Sequence, residues 1–166
     1  MDFHLLRGDE PNATAGFLEK RPVVFINFVM LDLIEDDVAM WAALLGHEVA
    51  HLKLAHGRSQ SKRIIPMQIL KTVTQGVLAS NPLAATGSAY LIDGIDTKFS
   101  RDAECQADYM GLIWAVEAGH DAMGASNLHQ LLLARRTQLN IPFLSTHPSS
   151  SKRAERLAEL AERLSK

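Results

Sequence analysis

The pattern of apolar and polar positions changes character near residue 28. Before it, short alternating runs rich in β-branched residues near 3–7, 14–18 and 23–27 predict three strands. Gly8-Asp9-Glu10-Pro11-Asn12 and Glu19-Lys20-Arg21-Pro22 separate them as turns. After it, apolar residues recur at helical spacing. Val29 to Ile34 predicts a short helix, and Asp36-Asp37 supplies acids suited to the positive end of the next. That second helix is expected from about Val38 to His56, with Gly57 as its stop. Pro66 opens another helix through Ala79, which Asn81-Pro82 ends. Residues 84–97 carry no clear period. Further helices are expected over about 101–117, 121–139 and 150–164, the last with Leu157, Leu160, Ala161 and Leu164 on one face. The expected fold class is α+β, mainly α, with a small N-terminal antiparallel sheet. At 166 residues, one domain covering 1–166 is the natural reading.

The helix over 38–56 is unusual. Val38, Trp41, Leu45, Val49 and Leu52 lie on one face, and Met40, Leu44 and Leu54 cover the opposite one. A helix apolar nearly all round belongs in a core. Yet it carries His47, Glu48 and His51, with Lys53 the only other polar side chain between Val38 and Ala55. Burying three such groups unpaired is costly, so something must satisfy them. A zinc ion does so directly. Histidines four apart point at a common atom, and the glutamate one step round the helix reaches a water beside the metal without ligating. Composition alone gives about 0.016 chance His-Glu-x-x-His matches in a chain of this length.

A catalytic zinc needs a third protein ligand. A pattern completed by Gly at 54 and His at 57 fails, because the chain has Leu54 and Gly57. His56 falls on the opposite side of a continued helix from His47 and suits a helix-end or outer role. Glu104 is the better candidate. Ala103, Ala107, Gly111, Ala115 and Gly119 form a smooth stripe that allows close helix approach, and Glu104 and Asp108 line up beside it. Glu104 can then face the metal, while Asp108 accepts the outer N–H of a ligating histidine.

Composition removes several alternatives. Hydrophobic residues at 47% and charged residues at 22% exclude a disordered chain. A net charge of −2 without a basic stripe gives nucleic-acid binding little electrostatic support, so no nucleic-acid partner is expected. The single cysteine, Cys105, excludes an internal disulfide. Met1-Asp2-Phe3-His4 is not a signal peptide. Because the chain opens directly on a strand pattern, a leader or anchor is expected to precede it. Ile64 to Ala79 is too short and too polar to span a bilayer, which leaves peripheral membrane contact or an upstream anchor open.

His47-Glu48-Val49-Ala50-His51, then Glu104-Cys105-Gln106-Ala107-Asp108, then Ser145-Thr146-His147-Pro148 with Arg153, together resemble the CAAX-prenyl-protease and HtpX-like family of gluzincin metallopeptidases. The match runs in order over about residues 3–160, and Asn12-Ala13 with the following hairpin resembles the family's substrate-side strand. The resemblance implies a zincin-like helical domain holding one zinc ion on His47, His51 and Glu104. It implies Glu48 as general base, His147 as an active-site residue and Arg153 as a supporting one. The segment between His51 and Glu104 does not encode the transmembrane helices of members that cut within the bilayer. That favours a soluble, bacterial periplasmic or membrane-associated branch.

The expected activity is zinc-dependent hydrolysis of peptide bonds in a polypeptide substrate, in the setting of protein quality control. His147 has two readings: a hydrogen-bond donor to the tetrahedral oxyanion, or a fourth zinc ligand that keeps the enzyme latent. The strand over Val23 to Asn27 is expected to offer an edge to an extended peptide. The competing reading is a non-proteolytic or latent zinc module that binds unfolded proteins; a metal-free helical interaction domain is a third.

Overall fold

The computed structural model describes residues 1–18, 20–56, 92–93 and 99–165. Strands β1 (Asp2–Leu6), β2 (Ala13–Leu18) and β3 (Arg21–Asn27) come first, and β4 (Ile92–Asp93) joins them later. The helices are α1 (Phe28–Ile34), α2 (Val38–Lys53), α3 (Arg101–Glu117), α4 (Gly124–Arg135), α5 (Phe143–Thr146) and α6 (Ser151–Leu164). The fold is α+β and mainly α. The expected helix over 66–79 and most of the ambiguous stretch 84–97 lie outside the described residues.

The sheet corrects two expectations. Its order is β1-β3-β2-β4, with β2 antiparallel to β3 but β1 parallel to it, from Asp2↔Val23 to Leu6↔Asn27. The N-terminal sheet is therefore mixed rather than antiparallel, and β3 is central with both edges paired. No peptide can add along Val23–Asn27. The physical signal was present in the chain: Val23-Val24-Phe25-Ile26 is a continuous apolar run, the mark of a strand covered on both faces. Asn27 locks this end of the sheet. Its Oδ1 accepts from the backbone N–H groups of Asn12 (3.1 Å) and Met30 (2.9 Å), so one side chain holds the β1–β2 loop and caps α1.

Asp37, Ser100 and Ser150 cap α2, α3 and α6 through backbone N–H groups of Met40, Ala103 and Arg153. α2 ends sooner than expected, at Lys53, because Ala55 takes a left-handed conformation (φ 55°) and turns the chain before Gly57. α4 is also shorter than 121–139, since Asp121 Oδ1 accepts from Met123 N–H in a turn.

α2 lies between two apolar clusters. Ala13, Ala15, Val24 and Ile26 of the sheet pack with Met30, Leu44, Leu132 and Phe143 on one side. On the other, Ala43, Leu112, Ala125, Leu157 and Ala161 meet. Burial holds through its middle but not its ends, where Val38 and Leu54 are exposed. α2 and α3 touch backbone to backbone: a Cβ on Gly111 would stand 2.6 Å from the His47 nitrogen, and one on Gly46 would stand 2.7 Å from the Gly111 carbonyl oxygen. Ala103, Ala107 and Ala115 are buried along the same stripe. This crossing sits beside His47 and sets the distance between the two helices that carry the site.

Candidate metal centre

From α2, His47, Glu48 and His51 point inward and are buried; from α3, so do Glu104 and Asp108. α5 ends at His147, and α6 brings Arg153 from its first turn. All seven residues singled out in the sequence meet at one place.

Four of them converge most tightly. His51 Nε2 lies 3.0 Å from His47 Nε2, and His47 Nε2 lies 3.1 Å from His147 Nδ1. Glu104 Oε1 stands 3.1 Å from both His51 Nε2 and His147 Nδ1. The four ligating atoms are all within 4.8 Å of one another. One pair of these nitrogens can share a proton, but three imidazole nitrogens and a carboxylate oxygen converging on one point are satisfied together by a shared cation. Ligands at 2.0–2.1 Å around a tetrahedral zinc sit roughly 3.3 Å apart, close to these spacings. Two buried carboxylate oxygens also lack hydrogen-bond partners, Glu48 Oε1 and Glu104 Oε2. Glu104 Oε2 is held by charge, with Arg153 Nη1 at 2.5 Å, and Glu48 Oε1 faces His147 Nε2 at 3.4 Å. The donor set therefore fits a zinc ion.

Outside this cluster lies a second ring of contacts. His47 Nδ1–H donates to Asp108 Oδ1 (3.1 Å), which leaves Nε2 as the lone pair turned inward. Arg153 grips Asp108 with two parallel bonds, Nε to Oδ2 at 2.7 Å and Nη2 to Oδ1 at 2.6 Å, and donates to the Pro148 carbonyl at 2.9 Å. His129 is a site neighbour that the sequence reading missed. Its Nε2 lies 3.7 Å from Asp108 and its Nδ1 bonds Ser149 Oγ at 2.7 Å. The available signal was a histidine on the α4 face that also buries Ala125, Leu128 and Leu132. Phe99 and Phe143 were missed too; they stack on His51 (3.8 Å between centroids) and His147 (4.5 Å).

Burial drives His51 down to about pKa 2, against the pull of its Glu104 hydrogen bond. Burial alone would raise Glu104 and Asp108, but hydrogen bonds from His147 and His51 to the former, and from His129, His47 and Arg153 to the latter, outweigh it and hold both below the usual range. Burial lowers His129. His147 is also opposed by burial, yet Glu48 and Glu104 raise it overall. The centre thus holds Glu104 and Asp108 ionised and His51 neutral, as metal ligation requires.

These shifts predict acid sensitivity in the metal-stripped protein. Below pH 6.5 the unfolded chain protonates His51 and His129 while the folded state resists, so stability falls as pH drops. At about 1.4 kcal/mol per pH unit, His51 alone removes roughly 2 kcal/mol between pH 6.5 and 5. Asp108 and Glu104 add to the loss once pH passes below their ordinary values. His147 works in the opposite sense, since its stabilisation fades as pH rises through its raised value. Thermal melts of the chelated protein at pH 7.5, 6.5 and 5 check this; a Tm that rises on acidification to pH 5 would contradict it.

A helix offering two histidines with a glutamate between them, met by a carboxylate from a second helix, is the arrangement of a metallopeptidase centre. The family comparison agrees: the model for peptidase family M48 matches residues 2–161, and the chain belongs to that family. Its relatives include the mitochondrial metalloendopeptidase OMA1 of Schizosaccharomyces pombe, 30% identical over 161 residues (95% of this chain, 46% of that protein). OMA1 of Arabidopsis thaliana is 32% identical over 159 residues (96% and 32%), and that of Bos taurus 29% over 164 (92% and 31%). The chain thus spans less than half the length of these curated relatives. Two expectations change. The relatives carry the OMA1 name, not that of the prenyl-protease or HtpX-like branch. The bacterial periplasmic location is overturned, because the relatives are named as mitochondrial proteins. Among the described residues, no helix is long and apolar enough to cross a membrane.

Proposed function

We propose that this chain is an OMA1-type zinc endopeptidase domain acting on polypeptide substrates in protein quality control. His47, His51 and Glu104 would hold the zinc, with Asp108 and Arg153 supporting them. When bound there, zinc supplies Lewis-acid polarisation of the scissile carbonyl and lowers the pKa of a nearby water. One observation carries the catalytic reading: the carboxylate of Glu48 is 1% exposed, and its Oε1 has no hydrogen bond. A structural metal has no use for such a group, whereas a general base needs it. Glu48 takes the proton as the water oxygen bonds to the carbonyl carbon, then delivers it to the amide nitrogen as the C–N bond breaks.

His147 supports a latent form of this enzyme. Its Nδ1 completes a four-donor set, the arrangement of closed sites, and a substrate carbonyl needs that position. The other role, donating to the oxyanion, requires the ring to rotate out and present an N–H.

Casein hydrolysis by the zinc-loaded protein, abolished by a chelator and restored by zinc, tests the activity. Glu104→Ala should lose most of its bound zinc by elemental analysis and no longer lose Tm when chelator is added. Wild-type zinc content in that variant would remove Glu104 from the ligand set. His147→Ala should raise hydrolysis several-fold under the latch reading; a fall of about 100-fold would assign the oxyanion role instead.

A further inference from the structure

The two zinc-facing histidines of α2 are supported differently. His47 has a carboxylate behind it, Asp108. Behind His51 stands another imidazole. Because Ala55 adopts a left-handed conformation, the chain folds back just after α2, and the His56 N–H bonds the His51 carbonyl at 3.1 Å. The side chain follows. His56 Nδ1 comes to 3.0 Å from His51 Nδ1, with the rings edge to face at 73°. Its other nitrogen, Nε2, lies 3.3 Å from Gln106 Oε1 on α3. The expectation that His56 points away from the site held only for a helix continuing to residue 56, and α2 stops at Lys53.

The proton count along this chain has one consistent solution with a metal present. Gln106 Oε1 can only accept, so His56 Nε2 carries the proton and its Nδ1 is a bare acceptor. His51 must then donate from Nδ1, which leaves Nε2 as the lone pair facing His47 Nε2 and Glu104 Oε1. Phe99, stacked on His51, holds the ring plane while the bond fixes its rotation.

We propose that His56 is a positioning residue for the metal centre, accepting the Nδ1–H of His51 and so fixing the tautomer that turns Nε2 inward, with Gln106 fixing the tautomer of His56. This rests on the zinc reading above. The contact does for His51 what Asp108 does for His47, but with a neutral partner. The two ligands are thereby oriented without a second buried negative charge behind them.

The test is zinc affinity of the full chain, measured by competition with a chromogenic chelator, together with the visible spectrum of the cobalt-substituted protein. His56→Phe keeps an aromatic ring against Phe99 and removes the acceptor; zinc affinity should fall about 10- to 100-fold, with an altered cobalt spectrum. His56→Asn offers an amide oxygen to the same N–H and should recover affinity to within a few-fold. Gln106→Leu should show a smaller loss. If His56→Phe binds zinc as tightly as the wild type, or if His56→Asn is as weak as His56→Phe, the assignment is overturned. Wild-type protein that takes up no zinc would overturn the metal reading itself, a result distinct from either.

Discussion

Under the proposed mechanism, Glu48→Gln should keep its zinc and lose its proteolysis. The substitution preserves size and burial, so His47 and His51 on either side of it on α2 stay in place and the metal content is unchanged. What disappears is the proton acceptor. A glutamine amide cannot take a proton from water at neutral pH, and general-base assistance is worth about 10²–10⁴-fold. The expected result is a fall of that size in kcat, with KM changed little, because the role proposed for Glu48 is proton transfer rather than binding of the peptide backbone. The side chain is well suited to this variant: Oε1 makes no hydrogen bond, so the amide breaks none at that atom. Elemental analysis beside a fluorogenic peptide assay reads both halves. Activity equal to wild type would remove Glu48 as the base. Lost zinc would instead make it part of the metal's support.

Much of this centre was legible in the chain because its parts obey local rules. His47 and His51 share a helix face through their spacing alone, and the apolar residues around them state that the face is buried. Glu104 was reached through the small-residue stripe of α3, whose Gly111 does meet α2; the matching Gly46 was not foreseen, because one glycine inside a helix carries no pattern. His147 and Arg153 came through resemblance alone. Nothing in their own surroundings marks them, and each is brought in by the packing of α5 and α6. The parallel pairing of β1 with β3 was hidden for a related reason: pairing depends on which strand inserts between two others, whereas alternation reports only one strand's faces. An outer role for His56 was open from the sequence, but its approach to His51 turned on a left-handed alanine, a conformation that sequence does not announce.

Arg153→Met costs the fold about 3–5 kcal/mol, the scale for removing one partner of a buried ion pair. Arg153 is 8% exposed and faces two carboxylates, Asp108 through two hydrogen bonds and Glu104 through an ion pair. Methionine fills comparable volume, so the loss is electrostatic rather than a cavity. It persists after metal removal, because Asp108 is left with only the exposed Arg156 as a cationic partner from α6. Lysine at 153 should recover only part, since a single ammonium cannot reproduce the parallel pair of bonds. The pH dependence separates this account from a packing defect. Without the guanidinium, burial acts on both carboxyl groups with less opposition and raises them. The variant then accepts protons in the folded state at a pH where the wild type does not. The gap in Tm between wild type and Arg153→Met should narrow from pH 8 to pH 5, whereas a defect of shape would leave it constant.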